Sequence, residues 1–370
     1  MRKLAIVSFI IILTTGLSFA QDKDTWPSFR GNSALTGHTQ LQLSKALKLL
    51  WSFKTEDAIK SSPVVAEGSI YIGSDDGFVY SLSKDGKLNW KYDAGTSIEA
   101  APMFLDQTIY VGSLEGTLYA LNAKTGEVKW KYATEGQISG SSSWVFSPEK
   151  KSKRILTGSY DFFLHCVDAG TGKGLWKYES QNYINGAPAT NGKAAVFGGC
   201  DGYLHFVNVN NGAALDTLSV GTYIASSCAL VGRKAFFGNY DGVFFCADIK
   251  SKKIDWKYEG GGSFIGSPAI SDNKVVIGSQ NRRVFCFDKA SGKVLWQFKT
   301  LGKIDGSPVI AGNSVVIGSG DGRIYMLDLA SGEKTWSYQI GSPVTGTPAV
   351  VQDMIIIGAR DGKVYAFGIN

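Results

Sequence analysis

The sequence predicts an all-β chain, an eight-bladed β-propeller of four-stranded antiparallel blades closed by pairing of its N- and C-terminal strands. Three periodic markers predict it. A tryptophan recurs at Trp51, Trp90, Trp130, Trp176, Trp256, Trp296 and Trp336, in steps of 39, 40, 46, 40, 40, 40 and 40 residues once Asp216 is counted in the slot that lacks it. An acid keeps the same beat at Asp76, Glu115, Asp161, Asp201, Asp241, Asp321 and Asp361, with Asn281 as the exception. A proline does so at Pro63, Pro102, Pro188, Pro268, Pro308 and Pro348, with Ser142 and Cys228 in the remaining slots. Self-similarity at this period points to a solenoid, propeller or array.

Each repeat supplies its own strands and turns. Residues 61–95 hold the apolar runs PVVA, SIYIGS, FVYSL and KLNWKY, separated by EG, DDG and KDG. Acid–glycine pairs reach the positive φ angles of tight hairpins, and the β-branched, aromatic runs carry no helical period. Ile70, Tyr71 and Ile72 are apolar on both faces, as strands covered by neighbouring sheets must be. Residues 47–55 read as a fourth strand with no first three before them, and the chain stops after a third strand at 362–368. Pairing the two completes the last blade and removes exposed edges. The expected organisation is a secretory signal over 1–20, a lead-in over 21–46 and the propeller over 47–370.

Around each tryptophan the text is stereotyped: ALNAKTGEVKW, CVDAGTGKGLW, CFDKASGKVLW, MLDLASGEKTW. This resembles the tryptophan-docking motif of the quinoprotein-type, or pyrroloquinoline-quinone-like, propeller repeat, over residues 47–368. The segment WPSFRGNSALTG, Trp26 to Gly37, is similar to the lead-in before the first blade of many such proteins. The resemblance implies that the seven tryptophans stack on neighbouring blades at small Gly turns. It also implies two functional branches: quinone-dependent dehydrogenases, and non-catalytic propellers such as the BamB-like propellers of outer-membrane β-barrel assembly. Fold alone does not choose between them.

Arg2 and Lys3, a short apolar core and Ser18-Phe19-Ala20 form a signal with a small-x-small cleavage site. No cysteine follows that point, so the expectation is a soluble, periplasmic or secreted protein that is not lipidated. Net charge falls from +6 to +4 when Arg2 and Lys3 leave, and the basic residues are scattered, which excludes a nucleic-acid stripe. One insertion stands out, SPEKKSKR at 147–154. Cys166, Cys246 and Cys286 share a third-strand slot filled elsewhere by Ser, Ala, Phe or Met, a buried site too far from its equivalents for disulfides. A Cys200–Cys228 pair stays open on sequence alone.

Chemistry-bearing residues are few. His165 and His205 occupy a slot held elsewhere by Tyr or Phe and read as packed aromatic substitutes; His38 has no carboxylate or cysteine nearby in sequence. No GxSxG, HExxH, P-loop or CxxC occurs. The turn acids are expected to bond their own hairpins rather than a metal, which needs oxygens converging on one point. In the dehydrogenase branch, the resemblance implies calcium held by a carboxylate and an amide, an aspartate base and adjacent cysteines. Adjacent cysteines are missing here, and no catalytic, cofactor or metal residue is assigned.

Binding residues are sought where the symmetry breaks. The slot before each acid holds Tyr160, Cys200 and Tyr240, and the blade-to-blade links hold Gln137, Tyr183 and Tyr223, with Phe264 leading into blade 6. Turns and links share one rim, so Tyr160, Phe162, Tyr183, Tyr223 and Tyr240 are expected to cluster over blades 3–5 as a partner-binding surface. Lys60, Glu99 and Asp305 are the alternative, at the channel mouth, where Glu99 and Asp305 sit on different blades. The reading is a non-enzymatic exported propeller that acts as a protein- or peptide-binding scaffold, with a role in envelope protein assembly implied by the non-catalytic branch. The alternative is a quinone- or sugar-binding propeller, with pyrroloquinoline quinone and calcium if it is an oxidoreductase.

Overall fold

The computed structural model describes residues 23–369, so the signal expected over 1–20 lies outside the described residues. Eight antiparallel sheets follow one another in the order the repeats foretell. Blade 1 is Val64–Ala66, Ser69–Gly73, Phe78–Ser83 and Leu88–Asp93, paired consecutively from the axis outward. The middle strands are buried on both faces, whereas the outermost alternates between exposed and half-buried positions. Blade 8 joins the chain ends: Lys48–Lys54 pairs antiparallel with Lys363–Gly368, Lys48 opposite Gly368 and Lys54 opposite Lys363.

Blades are tied to each other at three levels. At the first, the six docking indoles from Trp51 to Trp296 each lie on the glycine of the next blade's third-to-fourth-strand turn, Trp256 on Gly292 and Trp296 on Gly332, where φ near +70° admits no other residue cheaply. The indole N–H donates to a carbonyl of that turn, at 2.7 Å from Trp51 to Lys84 and 3.0 Å from Trp90 to Ala123. Trp336 donates to Leu47 at 3.0 Å, so the hydrogen bond, here without a turn glycine, also closes the ring. The register shifts between third and fourth strands beside each docking position, as at Cys166/Val167, and this bulge twists the strand there. The third-strand cysteines stand opposite the indoles, Cys246 across from Trp256 and Cys286 across from Trp296.

At the second level, Ile98, Ile138, Ile184 and Ile224 of the links sit against Gly73, Gly112, Gly158 and Gly198 of the preceding blades. Phe264 belongs to this buried slot, facing Gly238, and not to the rim where its sequence position suggested; Ser263 is the rim residue. At the third level, backbone amides around the axis donate to hydroxyls one repeat on, Ala187 to Ser227 at 2.8 Å and Ser267 to Ser307 at 2.8 Å.

The lead-in is part of the propeller rather than a tail. It crosses the end of the axis opposite the rim, and its backbone bonds to every blade but the third among the described residues, from Lys23 with Gln352 to Thr39 with Gly312. His38–Thr39 pairs in parallel with Ile310 and Ala311, making blade 7 five-stranded. Arg30 is fully buried in this strap, donating to the carbonyls of Pro268 (2.7 Å) and Pro308. Burial pushes its guanidinium down to about 9.

Two blade boundaries depart from the docking pattern. Trp176 lies on Gly212, but its N–H is buried without a partner, while Arg154 donates to Val209 and Asn210 in that turn. At Asp216 both halves are replaced: Lys252 stands at the glycine position with φ 55°, and its ammonium lies 2.9 Å from the Asp216 carboxylate. All five cysteines are free, which removes the Cys200–Cys228 alternative; the Cys228 thiol donates to Val196 at 3.1 Å.

Removing the chain through Thr55 deletes strap and closing strand together and is expected to lower the melting temperature and promote self-association. An unchanged melt and a monomeric elution profile would refute that role. Trp256→Ala is expected to cost about 3 kcal/mol, read as a shifted denaturant midpoint. Asp216→Trp alone is expected to destabilise, because its ring meets Lys252, and adding Lys252→Gly is expected to reverse that loss; equal midpoints for single and double variants would contradict the exchange.

Candidate functional site

The second-to-third-strand turns and the blade links share one rim, bonded to each other in every repeat. The amide before each acid donates to the link carbonyl, as from Tyr160 to Gln137 (2.9 Å), Cys200 to Tyr183 (2.9 Å) and Tyr240 to Tyr223 (3.1 Å). This geometry gathers the five predicted aromatics into two groups. Tyr160 and Tyr183 stack with centroids 4.6 Å apart and planes at 21°, and Phe162 leans on Tyr183 at 5.4 Å. Tyr223 and Tyr240 meet at 5.6 Å and 48°. Tyr183 is 43% exposed and Tyr223 and Tyr240 are 48% exposed, so these rings are not inter-blade packing. Phe162 holds φ 76° where most repeats have glycine, which sets its ring on the rim.

The turn acids below this surface are structural, with one correction. Asp76, Asp161, Asp201, Asp321 and Asp361 bond their own hairpins, as expected, but in the first four the second oxygen also accepts from the link before the blade. Asp76 takes Phe78 and Glu56 amides, Asp161 takes Phe163 and Glu135, and Asp321 takes Arg323 and Leu301. The aromatic four residues on completes the set, Tyr80 donating to Asp76 and Tyr365 to Asp361. His165 and His205 replace those tyrosines. His165 Nε2 lies 3.0 Å from Asp161 and its Nδ1 3.1 Å from the Tyr132 hydroxyl of the preceding blade; His205 repeats this with Asp201 and Tyr178 at 2.8 and 3.0 Å. A carboxylate only accepts, so Nε2 carries a proton toward the aspartate, and Nδ1 faces the tyrosine hydroxyl. Among the described residues no group of three His, Cys, Asp or Glu side chains is placed to hold a metal.

At the axis the rim opens into a polar pocket of about 180 Å³, floored by Phe29 of the strap. Lys60, Glu99 and Asp305 all line it. Lys60 lies 2.6 Å from Glu99 and 2.9 Å from Asp75, while Asp305, on blade 7, pairs with Lys303 at 3.1 Å and accepts from Gln280 at 3.0 Å. Burial opposes the Lys60 charge, but the bonds to Glu99 and Asp75 outweigh it and raise its pKa. These residues do not fit a quinone held on calcium. Each carboxylate already carries a lysine, a hard cation needs about six to eight converging oxygens, and small-molecule pockets run to roughly 300–1,000 Å³. Asn185 Oδ1 and Thr345 Oγ1, buried here without a protein partner, suit a water-sized guest.

The rim rests on the His–Asp pairs, and Asp161 tests that. Burial favours its neutral form, but the hydrogen bond and charge of His165 and the amides of Phe163 and Glu135 bring it down to about 2. Its folded value lies below the unfolded one, so its stabilisation is present above about pH 4 and is lost as pH falls toward 2. Asp161→Asn is expected to cost about 1.5–3 kcal/mol at neutral pH and to flatten the acid limb of the stability profile. Parallel profiles for parent and variant would contradict the assignment.

No curated protein matches the chain. Among solved structures it is similar to the computationally designed Ika8 protein, with 21% identity, 87% of this chain and 100% of that chain covered, and a TM-score of 0.77. BamB from Moraxella catarrhalis aligns at 19% identity over 88% of this chain and 100% of that chain, TM-score 0.74. Quinohemoprotein alcohol dehydrogenase from Comamonas testosteroni aligns at 16% identity over 95% of this chain and 81% of that chain, TM-score 0.81. At such identities the likeness is one of fold. Residues 139–370 match the family described as the beta-propeller of beta-alanine-activating enzyme, and the chain therefore belongs to that family, within the pyrroloquinoline-quinone-like propellers that its repeats resemble.

Proposed function

We propose that the chain is a non-enzymatic, exported propeller that holds a protein or peptide partner on the tyrosine rim of blades 3–5. The carrying observation is the pair of aromatic groups, Tyr160–Phe162–Tyr183 and Tyr223–Tyr240, gathered on one face with every ring but the half-buried Tyr160 exposed. Rings of this kind offer apolar area and a hydroxyl with few rotatable bonds to fix. The stacking favours a peptide: Tyr160 and Tyr183 cover one face of each other and present edges and hydroxyls, whereas a sugar ring needs a bare aromatic face. The axial pocket supports the non-enzymatic half of the reading, since its carboxylates are engaged by Lys60 and Lys303. Export rests on the signal-like residues 1–20, and a role in envelope assembly would follow the non-catalytic branch of the family.

Replacing Tyr160, Tyr183, Tyr223 and Tyr240 by serine is expected to abolish partner capture from a periplasmic extract. Exposed rim positions carry little core, so each change is expected to cost under about 1 kcal/mol and leave the melt near that of the parent. Retained capture with a normal melt would move the site to the mouth formed by Lys60, Glu99 and Asp305.

A further inference from the structure

On the strap side, a groove recurs between the first hairpin of one blade and the tryptophan-docking turn of the next. Three copies enclose cavities whose linings differ. Between blades 1 and 2 the groove, about 610 Å³, is lined by one acid, one base and neutral polar residues. Between blades 5 and 6 it is about 370 Å³ and largely apolar, and its Lys234 is tied to Asp248 and Asp255. Between blades 2 and 3 it is about 420 Å³ and basic, lined by Lys129, Lys150, Lys151 and Lys153 against Asp106 and Asp168. The scaffold is shared, so the difference lies in what each repeat adds to it.

Blade 3 adds the insertion. Glu67-Gly68 and Asp106-Gln107 suffice for the equivalent turns, whereas residues 147–152 form a loop folded around buried Ser147. The Ser147 hydroxyl accepts the amides of Lys151 (3.1 Å) and Ser152 (3.2 Å), and its carbonyl accepts that of Lys150 at 2.8 Å. The loop is thereby shaped before any ligand arrives.

Charge in the groove is unevenly spent. Lys153 holds both Asp106 oxygens at 2.8 Å, and Asp168 accepts from its own turn at Gly170 and Thr171. Lys129 donates to Thr108 at 2.7 Å and to the Gln107 carbonyl. Lys150 and Lys151 make no ion pair among the described residues, and the lining carries four cations against two anions. Beside them Phe146 is 47% exposed, edge-on to Trp144 at 5.1 Å, with the Lys153 ammonium over both rings.

We propose that this groove binds a phosphate monoester, with Lys150 and Lys151 taking the phosphate and Phe146 the organic group. A monoester carries close to two negative charges near neutral pH, matching the surplus of the lining. The exposed ring favours an ester over inorganic phosphate. A soluble ester and a lipid headgroup share this chemistry.

The test titrates the full-length mature protein with phenyl phosphate by calorimetry at low salt. Lys150→Gln/Lys151→Gln is expected to weaken binding by at least about tenfold through loss of two charge-assisted contacts. Lys124→Gln, in the neutral groove, is expected to leave it unchanged. Binding is also expected to weaken several-fold below about pH 6, where the phosphate takes its second proton. Sedimentation with phosphatidic acid vesicles, absent with phosphatidylcholine alone and lost in the double variant, identifies a headgroup; phenyl phosphate binding without it identifies a soluble ester. Failure of phenyl phosphate to bind, or equal binding by the double variant, overturns the proposal.

Discussion

Everything in this molecule depends on how one blade grips the next. Among the described residues the sheets share no strand pairing across their boundaries, so cohesion rests first on side chains seated on glycine. An indole rests on a turn glycine on the strap side, and a link isoleucine rests on a second-strand glycine nearer the rim. Both contacts need the absence of a Cβ on one partner and a rigid apolar group on the other, which is why the repeat keeps glycine at six docking turns and in all eight second-strand slots. The indole N–H adds direction, because its acceptor is a carbonyl of the next blade's docking turn, 33 residues on for Trp51, Trp90, Trp256 and Trp296 and 39 on for Trp130, across the insertion. A blade taken alone would expose both the ring and the glycine, so stability is a property of the closed circle.

The grip is modified over one arc. Trp176 keeps its glycine and loses its acceptor to Arg154, and at Asp216 an ion pair with Lys252 stands in for ring and glycine together. An ion pair at a half-exposed boundary is worth less than a seated indole, since water competes for both charges. Those boundaries lie on either side of blade 4, under the exposed tyrosines. The same stretch of chain therefore carries both the loosest docking and the most divergent rim, a combination expected where a surface is shaped for something other than its neighbours.

Legibility in the sequence follows the same division. Trp51 through Trp336, the hairpin acids and the strand at 47–55 are readable because each is repeated, and repetition turns a weak local signal into a count. The rim cluster is readable because turn and link slots fall on one side whatever fills them. Contacts that cross a boundary are not. The second oxygen of Asp161 reaches Glu135 from the preceding link, and the Lys252 partner of Asp216 is recognisable only once the indole's glycine is known to face it. Phe264 shows the limit: one position separates a rim residue from a buried one, and a large aromatic in the buried slot imitates its exposed neighbour.

The strap gives the ring two unlike faces. By bonding around the axis it closes one end, where Arg30 is held by carbonyls alone, and leaves the axial pocket open only toward the rim. A ligand on the strap side must therefore use the grooves between blades rather than the centre. Those grooves are built by one repeated scaffold, so each serves as the control for the others. The frame alone cannot make the groove between blades 2 and 3 selective, because the copies between blades 1 and 2 and between blades 5 and 6 are built on it too. What distinguishes it is the charge that residues 147–154 bring, and chemistry added to an otherwise constant frame is where a repeat protein gains a binding site without disturbing its fold.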